Sequence, residues 1–261
     1  MPERCNFRLQ SRAVPSILNG RKSNKKEVVP LAQTVPMHVI AHIRSDFPSK
    51  FGIPRQSGLI DALKATIVFE PEYRNPDALR GLEGYSHLWL IWQFSQVEQD
   101  RWRPTVRPPR LGGNTRMGVF ATRSPYRPNP IGLSSVRLEG IEVREGLGPV
   151  LLVAGADLLD GTPIYDIKPY LPYTDSHPDA RGGFALQSRE GTLQVELPPE
   201  WEAQIPPEYR EGLLAVLAQD PRPAYQHDPQ RIYGLEYAGL EVRFCVEGER
   251  LTVCGVSLRG E

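Results

Sequence analysis

From residue 38 onward apolar and polar residues alternate with a period of two in short runs, most of them bounded by Pro or Gly. A period of two places successive side chains on opposite faces of a strand. It predicts strands over 38–45 (HVIAHIRS), 63–70 (LKATIVFE), 117–124 (MGVFATRS), 133–143 (LSSVRLEGIEV), 149–157 (PVLLVAGAD) and 163–171 (PIYDIKPYL). The run HLWLIWQFSQ (87–96) is apolar almost throughout and reads as a strand buried on both faces. NPDALRGLEGYS (75–86) reads as a short helix, with Asn75 as N-cap, Pro76 in the first turn and Gly81 or Gly84 ending it. FPSKFGIPRQSG (47–58) is a loop. The GxG at 146–148 lies between two strands with no helix after it, so it is a hairpin turn and not a dinucleotide-binding fingerprint. Strands joined by turns, without alternating helices, predict a mainly β fold, an antiparallel barrel or sandwich.

The pattern changes twice. Residues 1–36 hold neither period and carry the basic run GRKSNKKE, so they read as disordered or as a spurious extension before Met37. Residues 172–192 are polar and turn-rich and read as a linker between a domain at 37–175 and a small α+β domain at 193–261. In that second unit Tyr209, Leu213, Val216 and Leu217 share one stripe of a helix stopped by Pro221. LEYAGLEVRFCVEGERLTVCGVSL then alternates through a hairpin turning near Gly248.

Composition narrows the function classes. No apolar run approaches the roughly 20 residues of a membrane span, and residues 1–30 lack a signal-peptide centre. Cys5, Cys245 and Cys254 form no CxxC and point to reduced thiols in a cytoplasm. The formal net charge is zero. Yet residues 101–138 hold eight arginines and no acid, and 107–130 alone holds five arginines and five prolines. Arginine pairs bidentately with phosphate and stacks on bases, so this segment, interleaved with Trp102 and Tyr126, suits a nucleic-acid partner.

Other chemistry is thin. The five histidines, at 38, 42, 87, 177 and 227, are scattered; His38 and His42 share a strand face without an acid or thiol partner, and no metal site is expected. There is no GxSxG elbow, and Cys245 and Cys254 sit in strands as small buried residues. DLLDGTPIYDIKPYLPY (157–173) does stand out: Asp157, Asp160, Asp166 and Lys168 punctuate an apolar strand pair, and Asp166-x-Lys168 places at least one charge inward or in a cleft.

IPRQSG, GLEGYSHLWLIW, WRPTVRPPRLGGNTRMGVFATRSPYRPNPIG, DLLDGTPIYDIKPYLP and VLAQDPRPAY together resemble one family over roughly residues 38–261. It is the bacterial and archaeal tRNA N6-threonylcarbamoyladenosine methyltransferases, S-adenosylmethionine enzymes built on an antiparallel single-sheeted β-barrel with a small C-terminal domain. The resemblance implies methylation of N6 of threonylcarbamoyladenosine at tRNA position 37, and a homodimer whose two subunits shape the site. It places cofactor contacts on Pro54, Arg55, Gln56, Ser95, Gln96, Arg123, Leu133, Leu158, Leu159, Asp160 and Gly161. The family has His where this chain has Ser95, which leaves a backbone contact there. Methyl transfer from a sulfonium needs neither a metal nor an enzyme nucleophile. It does need alignment of the reacting atoms and an acceptor for the N6 proton, for which Asp157, Asp160 and Asp166 are the candidates. Arg103, Arg107, Arg110, Arg116 and Arg127 are expected on the anticodon stem-loop backbone, with Trp102 or Tyr126 stacking the base; Arg222 and Tyr225 either touch RNA as well or only support the fold. The competing readings are a non-catalytic RNA-binding module and a same-fold methyltransferase for another substrate.

Overall fold

The structure is a computed structural model, and it describes residues 35–97, 102–111, 113–187, 191–223, 226 and 228–259. The segment read as an extension falls outside the described residues up to residue 34, and so does Tyr225. Met37–Glu261 forms one compact unit.

Eight strands precede the linker: β1 (Ala41–Arg44), β2 (Lys64–Phe69), β3 (His87–Gln93), β4 (Thr105–Val106), β5 (Met117–Gly118), β6 (Ile131–Arg144), β7 (Gly148–Ala154) and β8 (Pro163–Pro169). Six of them make one antiparallel sheet in the order β1-β2-β7-β6-β3-β8, and β8 pairs back onto β1. The ring of pairing leaves no unpaired edge in this sheet. The period-two pattern explains its interior: Ile43, Ile67, Leu88, Leu90, Trp92, Val136, Leu151, Val153 and Ile164 are all buried and form a single core.

Three local expectations fail. The 75–86 segment forms two 3-10 turns, Pro76–Leu79 and Leu82–Gly84, although Asn75 does cap, its side chain accepting from the Asp77 amide. Gly81 at φ 87° separates the turns, a conformation that breaks any continuous helix. MGVFATRS is not a barrel strand: only Met117–Gly118 pairs, with Thr105–Val106, and Val119–Ala121 is a 3-10 turn. In β3, Leu88, Leu90 and Trp92 are buried while Trp89, Ile91 and Gln93 are half-buried, so the strand is covered fully on one face only. Its outer face is partly covered by Tyr170, packed on Trp89, and by Asp175, which accepts from the Trp89 indole N–H at 2.7 Å.

The stretch read as a linker carries α1 (Pro172–Asp175) and α2 (Phe184–Gln187). Beyond it lie β9 (Gln194–Glu196), α3 (Pro199–Glu202), α4 (Pro207–Ala218), β10 (Tyr233–Tyr237), β11 (Leu240–Glu247) and β12 (Arg250–Leu258). The last three strands and β9 form a four-stranded sheet in the order β10-β11-β12-β9, with β9 parallel to β12. Leu213, Val216 and Leu217 of α4 pack into this sheet's core as the stripe requires. That core is not built from the C-terminal residues alone: Phe47, Ile60 and Leu63, from the loop between β1 and β2, are buried in it, and the Phe47 ring meets Tyr237 edge-on at 5.4 Å.

Candidate functional site

The buried face of β6 is the starting point. Alternation puts Gly132, Ser134 and Val136 inward, and Ser134 is 1 % exposed, one of two buried polar residues among those described. A buried hydroxyl needs partners. Ser134 has them on both sides: it accepts from the Trp92 indole N–H at 3.0 Å and donates to Asp157 Oδ1 at 2.5 Å. Gly132 makes this possible, since a Cβ there would collide with the Trp92 indole ring. Asp157 therefore marks the point where the barrel interior opens toward a group of loops.

Those loops carry most of the residues singled out in the sequence. The Asp157 carboxylate accepts from the Ser134 hydroxyl, and the backbone N–H groups of Asp157 and Ser57 and the Arg123 guanidinium favour its charged form. Burial raises its pKa above the ordinary carboxylate value and outweighs these donors, which pull it down. Ser57 Oγ in turn accepts from the Ser135 amide of β6 at 3.1 Å. One residue earlier, Gln56 accepts through Oε1 from Arg123 and donates through its amide to the Arg55 carbonyl. Pro54 is buried and Arg55 exposed, so the loop presents its polar side outward from a fixed base. Leu133, on the outer face of β6, is 55 % exposed beside this group.

The DLLDG loop is tied down from the other side. Leu158 is buried in the barrel core, so its side chain faces away from any ligand. The Leu158 carbonyl accepts from Ser45 Oγ at 2.9 Å, the Leu159 carbonyl from Thr162 Oγ1 at 2.7 Å, and the Asp160 and Gly161 amides donate to Phe47 and Ile43 carbonyls. Asp160 Oδ1 accepts from the Ser45 amide at 3.1 Å, and Oδ2 lies 3.9 Å from Arg44. Most of this loop's polar groups are thus occupied in fixing its own shape. Ser95 and Gln96 are exposed just past β3, and the Gln96 carbonyl accepts from Lys50 at 3.0 Å.

The structure separates the three candidate aspartates. Asp166 and Lys168 point outward from β8 and pair with each other at 2.9 Å, so neither charge lies inward and the expectation of a cleft fails. Both are i, i+2 on a strand, and the shared outer face satisfies them. Asp160 caps Ser45, and only Asp157 joins the Gln56–Arg123 group. His42 has an acid partner after all: Nδ1 lies 2.7 Å from Glu70 Oε1, a contact made by the β1–β2 pairing. No group of His, Cys, Asp and Glu able to hold a metal occurs among the described residues. Cys254 is exposed and Cys245 half-buried, on the outer face of the C-terminal sheet, so the expectation of small buried cysteines fails.

The arginine segment folds as a loop pinned by the β4–β5 pairing and by buried Val119. Arg103, Arg107 and Arg116 are exposed, and Arg127 donates to the Thr122 carbonyl at 3.3 Å. The Arg110 side chain lies outside what is described. Trp102 is 48 % exposed and stacks on Phe120, ring centroids 6.2 Å apart, while Phe120 is 73 % exposed. Phe120 was missed in the sequence because its alternation made it one more strand residue. Tyr126 is also exposed. Arg222 is not displayed as an exposed side chain: its guanidinium is almost buried and pairs with Asp220 through two contacts of 2.8 and 2.9 Å.

Two family models account for most of this unit. The tRNA-methyltransferase O N-terminal domain matches residues 42–176, and the TrmO C-terminal domain matches residues 190–259. The chain belongs to the tRNA-methyltransferase O family. Among its relatives, a protein named tRNA (adenine(37)-N6)-methyltransferase from Escherichia coli K12 is 46% identical over 193 residues, 72% of this chain and 82% of that protein. One of the same name from Eikenella corrodens is 50% identical over 168 residues, 62% of this chain and 92% of that protein. A crystal structure of TrmO from Pseudomonas aeruginosa superposes with a TM-score of 0.69 at 37% identity, covering 86% of this chain and 100% of the other. The N-terminal family match spans every barrel strand except the first residue of β1, and the whole Gln56–Arg123–Asp157 group with it. The second match covers the sheet β10-β11-β12-β9 and α4.

Proposed function

We propose that this chain is an S-adenosylmethionine-dependent tRNA (adenine-N6) methyltransferase that acts on threonylcarbamoyladenosine at position 37, beside the anticodon. Membership of the tRNA-methyltransferase O family carries the enzyme class, and the names of the relatives carry the adenine and its position. The observation that carries the site is the convergence of Gln56, Arg123 and Asp157 from three loops at one end of the six-stranded ring. We read that ring as the single-sheeted barrel of this enzyme class.

The residues fit the cofactor by their chemistry. Arg123 offers a guanidinium for the methionine carboxylate and Gln56 an amide. Leu133 offers an exposed apolar face for the adenine, and Asp160 Oδ2, 3.9 Å from Arg44, offers an acceptor for hydroxyl or ammonium protons. When bound, the cofactor supplies an electrophilic methyl group on a sulfonium. The chain's task is then orientation: holding the acceptor nitrogen in line with that methyl is worth about 7–11 kcal/mol of the barrier. Arg103, Arg107, Arg116 and Arg127 supply cations for the anticodon-stem phosphates, and Trp102, Phe120 and Tyr126 supply ring faces on which unpaired bases stack. The exposed apolar side chain of Leu59, on the loop that carries Gln56, suits closure by a second copy of the chain, a homodimer. No helix among the described residues is long and apolar enough to cross a membrane, and a cytoplasmic location fits a tRNA substrate.

The test is calorimetric titration of S-adenosylmethionine into the protein and into Arg123→Ala, with methyl transfer to tRNA carrying threonylcarbamoyladenosine and to tRNA lacking it. Saturable binding weakened in the variant, and transfer to the modified tRNA only, are the expected results. Binding of tRNA without any binding of S-adenosylmethionine would leave an RNA-binding module, and transfer to unmodified tRNA would change the substrate.

A further inference from the structure

Five segments that sequence resemblance assigns to the cofactor come from distant parts of the chain: 54–56, 95–96, 123, 133 and 158–161. Something must set their mutual positions. The structure assigns that task to Asp157: it is a positioning residue that fixes the cofactor loops through a hydrogen-bonded chain running Trp92–Ser134–Asp157, and it is not the proton acceptor of the reaction. This inference rests on the cofactor site proposed above.

The polarity of the chain carries it. An indole nitrogen can only donate, so Ser134 Oγ must accept from Trp92 and turn its own proton to Asp157, at 2.5 Å. Asp157 Oδ1 is thus committed to Ser134, on the inward face of β6. A carboxylate that takes up a proton becomes a weaker acceptor, so service as a general base would loosen the bond that ties the 157–161 loop to this strand. The neighbouring loop is tied to the same strand one residue further on: Ser57 Oγ accepts from the Ser135 amide, and Gln56 carries the connection to Arg123. Asp160 and Asp166 have no part in this chain, being held by Ser45 and Lys168.

The experiment is steady-state kinetics with threonylcarbamoyladenosine-containing tRNA, together with calorimetry using S-adenosylmethionine, on wild type, Ser134→Ala and Asp157→Asn. The expected result is a split. KM and Kd for S-adenosylmethionine rise about tenfold or more in both variants, the worth of one charge-assisted hydrogen bond, while kcat at saturating cofactor stays within about threefold. Ser134→Ala removes one hydroxyl and leaves the charge in place, so it keeps the test readable if Asp157→Asn does not fold. A Ser134→Ala protein with unchanged cofactor affinity overturns the inference. So does an Asp157→Asn protein whose kcat falls a hundredfold or more with cofactor affinity intact, which would make Asp157 the base. A wild-type protein that binds no S-adenosylmethionine overturns the functional reading itself, a result neither variant can mimic.

Discussion

Gly132→Ala tests the packing beneath the site. The new methyl group would meet three atoms of the Trp92 indole, a ring that is 8 % exposed in the barrel core. The Trp92 ring has to move, because Gly132 and Trp92 are direct cross-strand partners and the β3–β6 pairing holds both backbones in place. Forcing a methyl into a packed core costs about 1–3 kcal/mol. Moving the ring also strains the indole N–H bond to Ser134, and a buried donor left without its acceptor costs about 1–3 kcal/mol more. Against this, replacing Gly in a strand returns only about 0.5–1 kcal/mol of chain entropy. The net loss is about 1–5 kcal/mol, which for a unit of this size lowers Tm by roughly 2–20 °C. Thermal unfolding followed by tryptophan fluorescence reads it directly, with Gly140→Ala on the same strand as control, since a Cβ there meets nothing within 4 Å. A Gly132→Ala protein that melts within a degree of wild type, or no worse than Gly140→Ala, would refute the account of why Trp92, Ser134 and Asp157 lie in line.

Truncating the exposed pair Trp102 and Phe120 to Ala should weaken tRNA binding by about 1–3 kcal/mol per lost stack, measured by filter binding at fixed salt, with S-adenosylmethionine affinity unchanged. Arg107→Ala should reduce the slope of log K against log salt by about 0.7–0.9, the signature of one phosphate contact; an unchanged slope would remove Arg107 from the RNA surface. Arg222→Ala should destabilise the fold by about 3–5 kcal/mol, because it leaves Asp220 without its nearly buried partner, and should leave the tRNA affinity of the folded protein unaltered. Burial raises the pKa of both Asp46 and Asp157, so between the ordinary carboxylate value of 3.8 and those raised values the folded protein binds more protons than the unfolded chain. These two groups therefore favour folding progressively as pH falls through that window and oppose it above; urea titrations should show the trend flattened in Asp46→Asn.

The antiparallel sheet was legible because burial on one face prints a period of two, as in Leu88, Leu90 and Trp92. The arginine loop was misread for the same reason: Met117, Val119 and Ala121 alternate by coincidence, while the prolines on either side prevent a ladder, and only Val119 is buried. Resemblance named Gln56 and Arg123 as cofactor contacts and the residues themselves raised Asp157 as one of three candidate acceptors, but no spacing rule brings positions 56, 123 and 157 together. Ser134 could have been found from the chain alone. It is a polar residue at an inward position between Gly132 and Val136, and such a residue in a strand core signals a buried partner. The Asp166–Lys168 pair shows the converse, two charges that alternation places on the same outer face and that satisfy each other there.

Phe47, Ile60 and Leu63 precede the second family match by well over a hundred residues, yet they complete the hydrophobic centre of the sheet β10-β11-β12-β9. The boundary between the two matches is thus a boundary of sequence and not of folding. A chimaera that joined this barrel to the C-terminal part of a distant relative would have to carry those three residues across with the part they serve. Ser45 and Asp160 sit at the same seam, with Phe47 two residues from Ser45 and hydrogen-bonded through its carbonyl to Asp160. Recombination at that seam would therefore disturb the site before it disturbed the barrel, and the two halves should be inherited together.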